Sequence, residues 1–229
     1  MELNRTFYSL VSPRVFRDWY QAAPRGFRWA VKGSRFITHN KKLDGVEEPM
    51  ANFFSSGVLE LKEKLGPILW QLSPTWRLNL ERLDEFLRLL PSTTTDAARL
   101  ARQHTLPNRE HSTNADRKRP LRHALELRHP SWFVPEVADL ARKHRVALAF
   151  SHSKSWPYTD DVTAGFVYLR LHGPGRLYAS AYTDAQMRDW AKQVLSWTGN
   201  GDVFVYFDND GEGHAPRQAL KLIDLVSRY

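Results

Sequence analysis

Apolar and polar positions in this chain follow two periods that take turns. Short runs rich in β-branched and aromatic residues give way to stretches with helical spacing, repeatedly, from one end to the other. The runs predict strands at residues 2–8, 27–32, 68–72, 123–127, 146–150, 166–171 and 203–207. Helices are predicted between them. One covers 14–22, entered through Ser12 and Pro13, a cap followed by proline at the first helical position. The next runs over 47–64 and is stopped by Gly66, and a third covers 79–90 and ends at Pro91. Ser131 caps a helix to residue 144, Thr183 and Gln186 fit a capping box for one reaching Trp197, and a last helix covers about 216–228. Residues 92–119 break the rhythm. Within them 95–103 suits a short helix, and 107–120 is polar and reads as an exposed loop.

Strands alternating with helices imply parallel strands joined by helical crossovers. The expected fold is an α/β chain of the TIM-like (β/α) barrel type, one domain over 1–229 with an exposed polar insertion at about 92–119. Seven strands are predicted where a closed barrel has eight. A doubly wound open sheet is the alternative.

Side chains along a strand alternate between faces. One parity is almost wholly apolar: Trp29 and Val31, Ile68 and Trp70, Leu125 and Leu127, Leu169 and Leu171, Val203 and Val205. That parity is expected to face the helices. The other turns polar toward the C-terminal end of each run. It holds Glu2, Asn4 and Thr6, then Lys32, Gln71, Glu126, Arg128, Ser151, Arg170, His172 and Asp208. Barrel enzymes place their chemistry at this end, on side chains from several strands. A buried ion network is the competing explanation, but such networks stabilise poorly because desolvation offsets the attraction.

Composition adds a few limits. The 229 residues are 42% hydrophobic, with eight Trp and twelve Phe, which argues for a packed core and against disorder. There is no Cys, which excludes disulfides, thiolate metal sites and cysteine nucleophiles. No apolar run approaches the roughly 20 residues that span a bilayer, and the start of the chain lacks the pattern of a signal peptide. A cytoplasmic protein with no membrane partner is expected. Lys and Arg exceed Asp and Glu by 33 to 25, a net charge of +8, which favours an anionic small molecule or nucleic acid as partner. Arg117, Lys118, Arg119 and Arg122 form a small basic patch that also reads as a solvated loop.

Several segments carry a family resemblance. They are Glu2-Leu-Asn-Arg-Thr-Phe-Tyr8, Gly26-Phe-Arg-Trp-Ala-Val-Lys32, Arg35-Phe-Ile-Thr-His39, Gly66-Pro-Ile-Leu-Trp-Gln-Leu72, Glu126-Leu-Arg-His-Pro-Ser-Trp132, Tyr168-Leu-Arg-Leu-His-Gly173 and Tyr206-Phe-Asp-Asn-Asp210. With these the chain resembles the domain-of-unknown-function 72 family, the YecE-like proteins, over nearly its whole length. The resemblance implies a TIM-like barrel and no settled activity. Family members usually begin with a further strand and a Gly-Thr-Ser-Gly-Trp-like segment, so by this likeness the chain is N-terminally shortened and its first strand missing. The family often has an Asp where Ser151-His-Ser153 stands here.

The candidate chemistry follows from the polar parity. Lys32, Arg128 and Arg170 suit an anion, and Arg offers a bidentate fork to carboxylate or phosphate. Gln71, Asn4 and Tyr182 join them as candidate substrate contacts. Glu126, Asp208 and His172 are the candidate catalytic residues, as acid, base or, with a divalent metal, oxygen and imidazole ligands. Glycines in His172-Gly-Pro-Gly175 and Asn209-Asp-Gly-Glu-Gly-His214 suit phosphate-binding loops, or plain turns. His129, before Pro130, is expected to shape its loop. Trp132, Trp156, Tyr178 and Tyr182 lie in or near loops after strands, where they stack on a base or sugar or pack the loops down. The leading functional reading is a charged pocket that binds a phosphate-bearing substrate and hydrolyses or cleaves it. The alternatives are a non-catalytic nucleic-acid binder and an inactive, shortened family member.

Overall fold

The structure, a computed structural model, describes residues 1–228. All seven expected strands are present, ordered β1 to β7 as they occur in the chain. The chain divides into two compact units, Met1–Leu125 and Glu126–Tyr229.

The first unit contains β1 (Glu2–Leu3), α1 (Arg5–Tyr8), α2 (Pro13–Ala22), β2 (Trp29–Lys32), α3 (Glu47–Ser55), β3 (Leu65–Gln71), α4 (Leu80–Leu89), α5 (Thr94–Ala101) and the start of β4 (His123–Glu126). The β1–β2 and β2–β3 ladders are parallel. Several sequence expectations change here. The strand expected over 2–8 stops after Leu3, and the chain turns into the short α1. The Thr6 hydroxyl ties this turn down: its one proton has two carbonyls in reach, Leu3 O at 2.9 Å, three residues back, and Lys32 O at 2.6 Å at the end of β2. After β2 the chain makes a π-helical turn, Phe36–Asn40, that includes His39.

The single helix expected over 47–64 is two pieces, α3 and a 3₁₀ stretch Val58–Lys64. Gly57 separates them at φ +121°, and a Cβ there would lie 2.5 Å from Pro13 Cα. Only glycine meets both demands. Gly66, expected to stop a helix, instead lies inside β3, where a Cβ would come within 3.0 Å of Trp29 O. The buried Lys64 ammonium donates to Tyr20 O and Ala23 O at the end of α2, satisfying carbonyls that a helix C-terminus leaves open.

Residues 92–119 are more than an exposed insertion. Helix α5 buries Ala97, Ala98 and Ala101 and packs on α3, and an antiparallel bridge between Thr93 and Pro120 closes the excursion. Residues 107–111 are exposed as expected.

His123 opens β4 from inside the apolar core. Its Nδ1 accepts from Trp70 Nε1 at 3.1 Å, so Nε2 carries the proton and donates to Pro91 O at 2.8 Å. Burial pushes this imidazole down to about 4, against the opposing pull of the Pro91 carbonyl. The folded chain therefore holds His123 neutral where the unfolded chain protonates it. The stability this represents is present above pH 6.5 and is lost as pH falls from 6.5 through about 4. Unfolding by urea at pH 7 and pH 4 should show about 3 kcal/mol more acid loss in the native chain than in His123→Gln.

The second unit begins with Glu126 at the end of β4 and continues through α6 (Pro135–Lys143), β5 (Ala147–His152), β6 (Phe166–Leu171), α7 (Asp184–Trp197), β7 (Asp202–Phe207) and α8 (His214–Ser227). Where one helix was expected over 131–144, a 3₁₀ turn, Pro130–Trp132, precedes α6, and the His129 ring accepts from Ser131 N to cap it. The capping box at Thr183 and Gln186 is formed in full. Ladders β5–β6 and β6–β7 are parallel.

The expected parity holds in this unit. Phe150, Val167, Leu169 and Leu171 form a buried core with Met187, Trp190, Ala191, Val194 and Trp197 of α7 and Leu222 of α8. On the opposite face Phe166 and Tyr168 meet Phe204 and Tyr206, with ring centroids 6.0 and 4.9 Å apart. Beyond these rings, toward the C-terminal ends of the strands, the same face turns to Ser151, Arg170, His172 and Asp208.

Candidate active site

The strand geometry of the second unit brings five of the expected site residues together with Ser151. Glu126 and Arg128 stand at and just past the end of β4, Ser151 on β5, Arg170 and His172 on and after β6, and Asp208 after β7. In the β5–β6 register Ser151 pairs with Arg170, so a side chain on each strand's polar face meets its neighbour.

Glu126 is the hub, and it is fully buried. Its Oε1 accepts from Arg128 Nη2 at 2.9 Å, Arg128 Nε at 3.1 Å and Ser151 Oγ at 2.8 Å. Its Oε2 accepts from Arg170 Nη1 at 3.0 Å. Burial would raise its pKa, but Arg170, Arg128 and His172 outweigh that and hold the carboxyl well below the usual glutamate range. A carboxylate so placed stays ionised and does not serve as a general acid near neutral pH. It pairs with two guanidinium groups.

His172 sits between an acid and a hydroxyl. Its Nδ1 lies 3.0 Å from Asp208 Oδ2, at ion-pair distance but without hydrogen-bond alignment. Its Nε2 lies 2.9 Å from Ser151 Oγ and 3.5 Å from Arg170 Nη1. Asp208 also accepts from Arg170 Nη2 at 3.0 Å. Burial would raise the Asp208 pKa, yet His172 and Arg170 bring it down to about 2. An ionised carboxylate only accepts and a guanidinium only donates. Nε2 also lies 3.5 Å from Glu126 Oε1, so carboxylate oxygens face both ring nitrogens.

An aromatic roof covers this cluster. The Trp156 ring lies edge-on to His172 at 4.8 Å, and the Arg128 guanidinium stacks 3.6 Å over that ring. Tyr178 lies 5.5 Å from His172 and accepts from Arg128 Nη1 through its hydroxyl, at 3.2 Å. Tyr178 holds φ at +63°, an unfavourable region for an aromatic residue. Two backbone bonds clamp it there, Tyr178 N to His172 O and Gly211 N to Tyr178 O.

Lys32, Gln71 and Asn4 belong to the first unit. There Lys32 is buried with its ammonium 4.3 Å over the Phe7 ring, Gln71 is buried, and Asn4 is exposed ahead of α1. Tyr182 packs in the α7 core, where its hydroxyl meets His152 Nδ1 at 2.8 Å and accepts from Gly173 N. The glycine loops bind each other through Asn209 Nδ2 to Ser180 O and Gly211 N to Tyr178 O. Trp132 is buried, and His214 pairs with Glu212. Among the described residues, no group of three or more His, Asp and Glu side chains is arranged to hold a metal ion. Also among them, no helix is long and apolar enough to cross a membrane.

Sequence parity had put Ser151 on the polar face but not among the candidate site residues. Trp156 and Tyr178 were legible only as aromatics in loops after strands.

Seven strands in chain order with intervening helices define a TIM-like α/β barrel fold. The family described as protein of unknown function DUF72 matches residues 1–229, and the chain belongs to that family. Solved structures of two family members share the fold. A DUF72 protein from Enterococcus faecalis is 19% identical with a TM-score of 0.75, and the match covers 99% of this chain and 84% of that one. One from Thermotoga maritima is 21% identical with a TM-score of 0.75 and the same coverage. No curated protein matches the chain.

Proposed function

We propose that the ends of β4 to β7 form a hydrolytic active site for a phosphodiester carrying a planar aromatic group, with His172 as the acid and base. The observation that supports this best is the buried imidazole set between the Asp208 carboxylate and the Ser151 hydroxyl. Such a ring can take a proton at Nε2 while its charge is balanced at Nδ1.

Charge narrows the substrate. Arg128 and Arg170 stand against Glu126 and Asp208, so these four groups sum to zero. A diester with one negative charge suits such surroundings better than a doubly charged monoester. The Arg128 fork donates to a neutral phenol at Nη1, an acceptor that a phosphoryl oxygen can replace with a stronger, charge-assisted bond. Trp156 and Tyr178 place two aromatic rings 6.1 Å apart beside the site, and the net charge of +8 favours an anionic partner. The absence of Cys fits a reducing compartment, and we place the protein in the cytoplasm.

Bis(4-nitrophenyl) phosphate combines the single charge with aromatic groups. The protein should release nitrophenolate from it above the rate in buffer. Trp156→Leu should raise KM about tenfold, the scale of one lost aromatic stack, with a smaller change in kcat. No release above the buffer rate by the native protein would refute the reading.

A further inference from the structure

We propose that Ser151 is the nucleophile of this site, attacking phosphorus to give a phosphoserine diester intermediate; this rests on the hydrolytic reading above. Three side chains on successive strands make a relay. Ser151 Oγ is 2.9 Å from His172 Nε2, and His172 Nδ1 is 3.0 Å from Asp208 Oδ2. Nucleophilic hydroxyls are recognised by this geometry: hydroxyl to base, and base to an orienting carboxylate. The relay follows from strand pairing rather than from a loop. Ser151 is next to Arg170 in the β5–β6 register, His172 lies two residues further along the same face, and Asp208 follows β7 directly.

The Ser151 hydroxyl has two acceptors in reach, Nε2 and Glu126 Oε1 at 2.8 Å. Glu126 is saturated by arginines and is a poor proton acceptor. Nε2 carries the lone pair in the tautomer with its proton on Nδ1, beside Asp208. The hydroxyl has one proton, so it turns from Glu126 Oε1 to Nε2 for the attack, and the proton then goes to the imidazole.

The steps balance. Oγ forms a bond to phosphorus as the bond from phosphorus to the leaving oxygen breaks. The Oγ proton passes to Nε2 and from there to the departing oxygen. Water then attacks phosphorus and gives a proton to Nε2, the Oγ–P bond breaks, and that proton returns to Oγ. Arg128 and Arg170 face the phosphoryl oxygens through both steps. Asp208 is a positioning residue, since it acts through the ring.

Ser151 is 3% exposed and His172 is fully buried, so a substrate reaches them only when Trp156 and Tyr178 move aside. The test therefore uses a small, uncharged phosphorus electrophile and a variant with an opened roof. Native protein and Trp156→Ala are treated with diisopropyl fluorophosphate, and the site of any adduct is found by peptide mass spectrometry. One adduct on Ser151 is expected, formed at least tenfold faster in Trp156→Ala and abolished in His172→Gln, provided that the variants melt cooperatively. If neither native protein nor Trp156→Ala is labelled at Ser151, the proposal is overturned. It is also overturned if Ser151→Ala keeps native turnover of bis(4-nitrophenyl) phosphate while His172→Gln loses it, an outcome that leaves the hydrolytic reading standing. Loss of turnover in Ser151→Ala together with labelling at Ser151 supports both.

Discussion

Asp208→Asn should lower kcat on a phosphodiester by about 10³- to 10⁴-fold while leaving the protein folded. The reason is the proton inventory around His172. In the proposed mechanism Asp208 Oδ2, 3.0 Å from Nδ1, selects the tautomer protonated there, which presents a lone pair at Nε2 to Ser151. An amide in the same place can turn its NH₂ toward Nδ1. The proton then moves to Nε2, and the base toward Ser151 is lost. A merely structural Asp208 would lower stability without changing the tautomer. Nitrogen chemical shifts of the His172 ring separate the two cases, because they report which nitrogen is protonated. An unchanged tautomer with lost activity would refute this account of Asp208. The carboxylate itself stays ionised over the working range. Its pKa is depressed from 3.8 to about 2, so the stability it contributes is present above pH 3.8 and is lost only as pH falls through about 2.

Glu126→Ala should cost about 3–5 kcal/mol of stability, measured by urea or thermal unfolding. Glu126 joins Arg128 and Arg170, which are 7% and 1% exposed. Deleting it takes a counter-charge from two desolvated cations, while Asp208 stays paired with Arg170. The Ser151 hydroxyl loses an acceptor as well. Glu126→Gln, which keeps the shape and one carbonyl oxygen, should lose less than Ala and serves as the comparison. A cost below about 1 kcal/mol for Ala would show that the arginines are not held by this carboxylate. The pH behaviour has the opposite origin to that of His123. Glu126 is held charged in the fold and its folded pKa is depressed, so its contribution persists above pH 4.5 and fades only in strong acid.

The polar face of the site was readable from alternation alone. In 166–171 the order Phe, Val, Tyr, Leu, Arg, Leu assigns Arg170 and then His172 to one side. The same rule placed Ser151, Glu126 and Asp208. What alternation cannot convey is partnership. Three cations facing an anion was the expected arrangement, yet Arg128 and Arg170 already bind Glu126 and Asp208, because burial at this depth requires a counter-charge. Tyr182 shows the limit for loops, where no period applies. A polar-tipped aromatic ten residues beyond His172 can face either layer, and here it joins the helix side through His152. The strand expected over 2–8 was shortened by Thr6, whose hydroxyl makes local and non-local bonds that outweigh the strand preference of Thr, Phe and Tyr. Gly57 carried the reason for a helix break in plain sight, but its need for positive φ is visible only with Pro13 beside it.

The clamp on Tyr178 makes one mechanical part of two loops. Tyr178 is bonded to His172 O on one side and to Gly211 N on the other, and Asn209 in the second loop reaches both Ser180 and Gln218 of α8. Lifting the tyrosine off the imidazole therefore pulls on the segment that leads into α8. Opening the roof and loosening the start of that helix become one motion, like a latch whose handle sits on the outside. Amide exchange at the beginning of α8 then reports on a site buried beneath Tyr178, and a substitution at Gln218, which bonds Asn209 next to Asp208, alters how often the site opens.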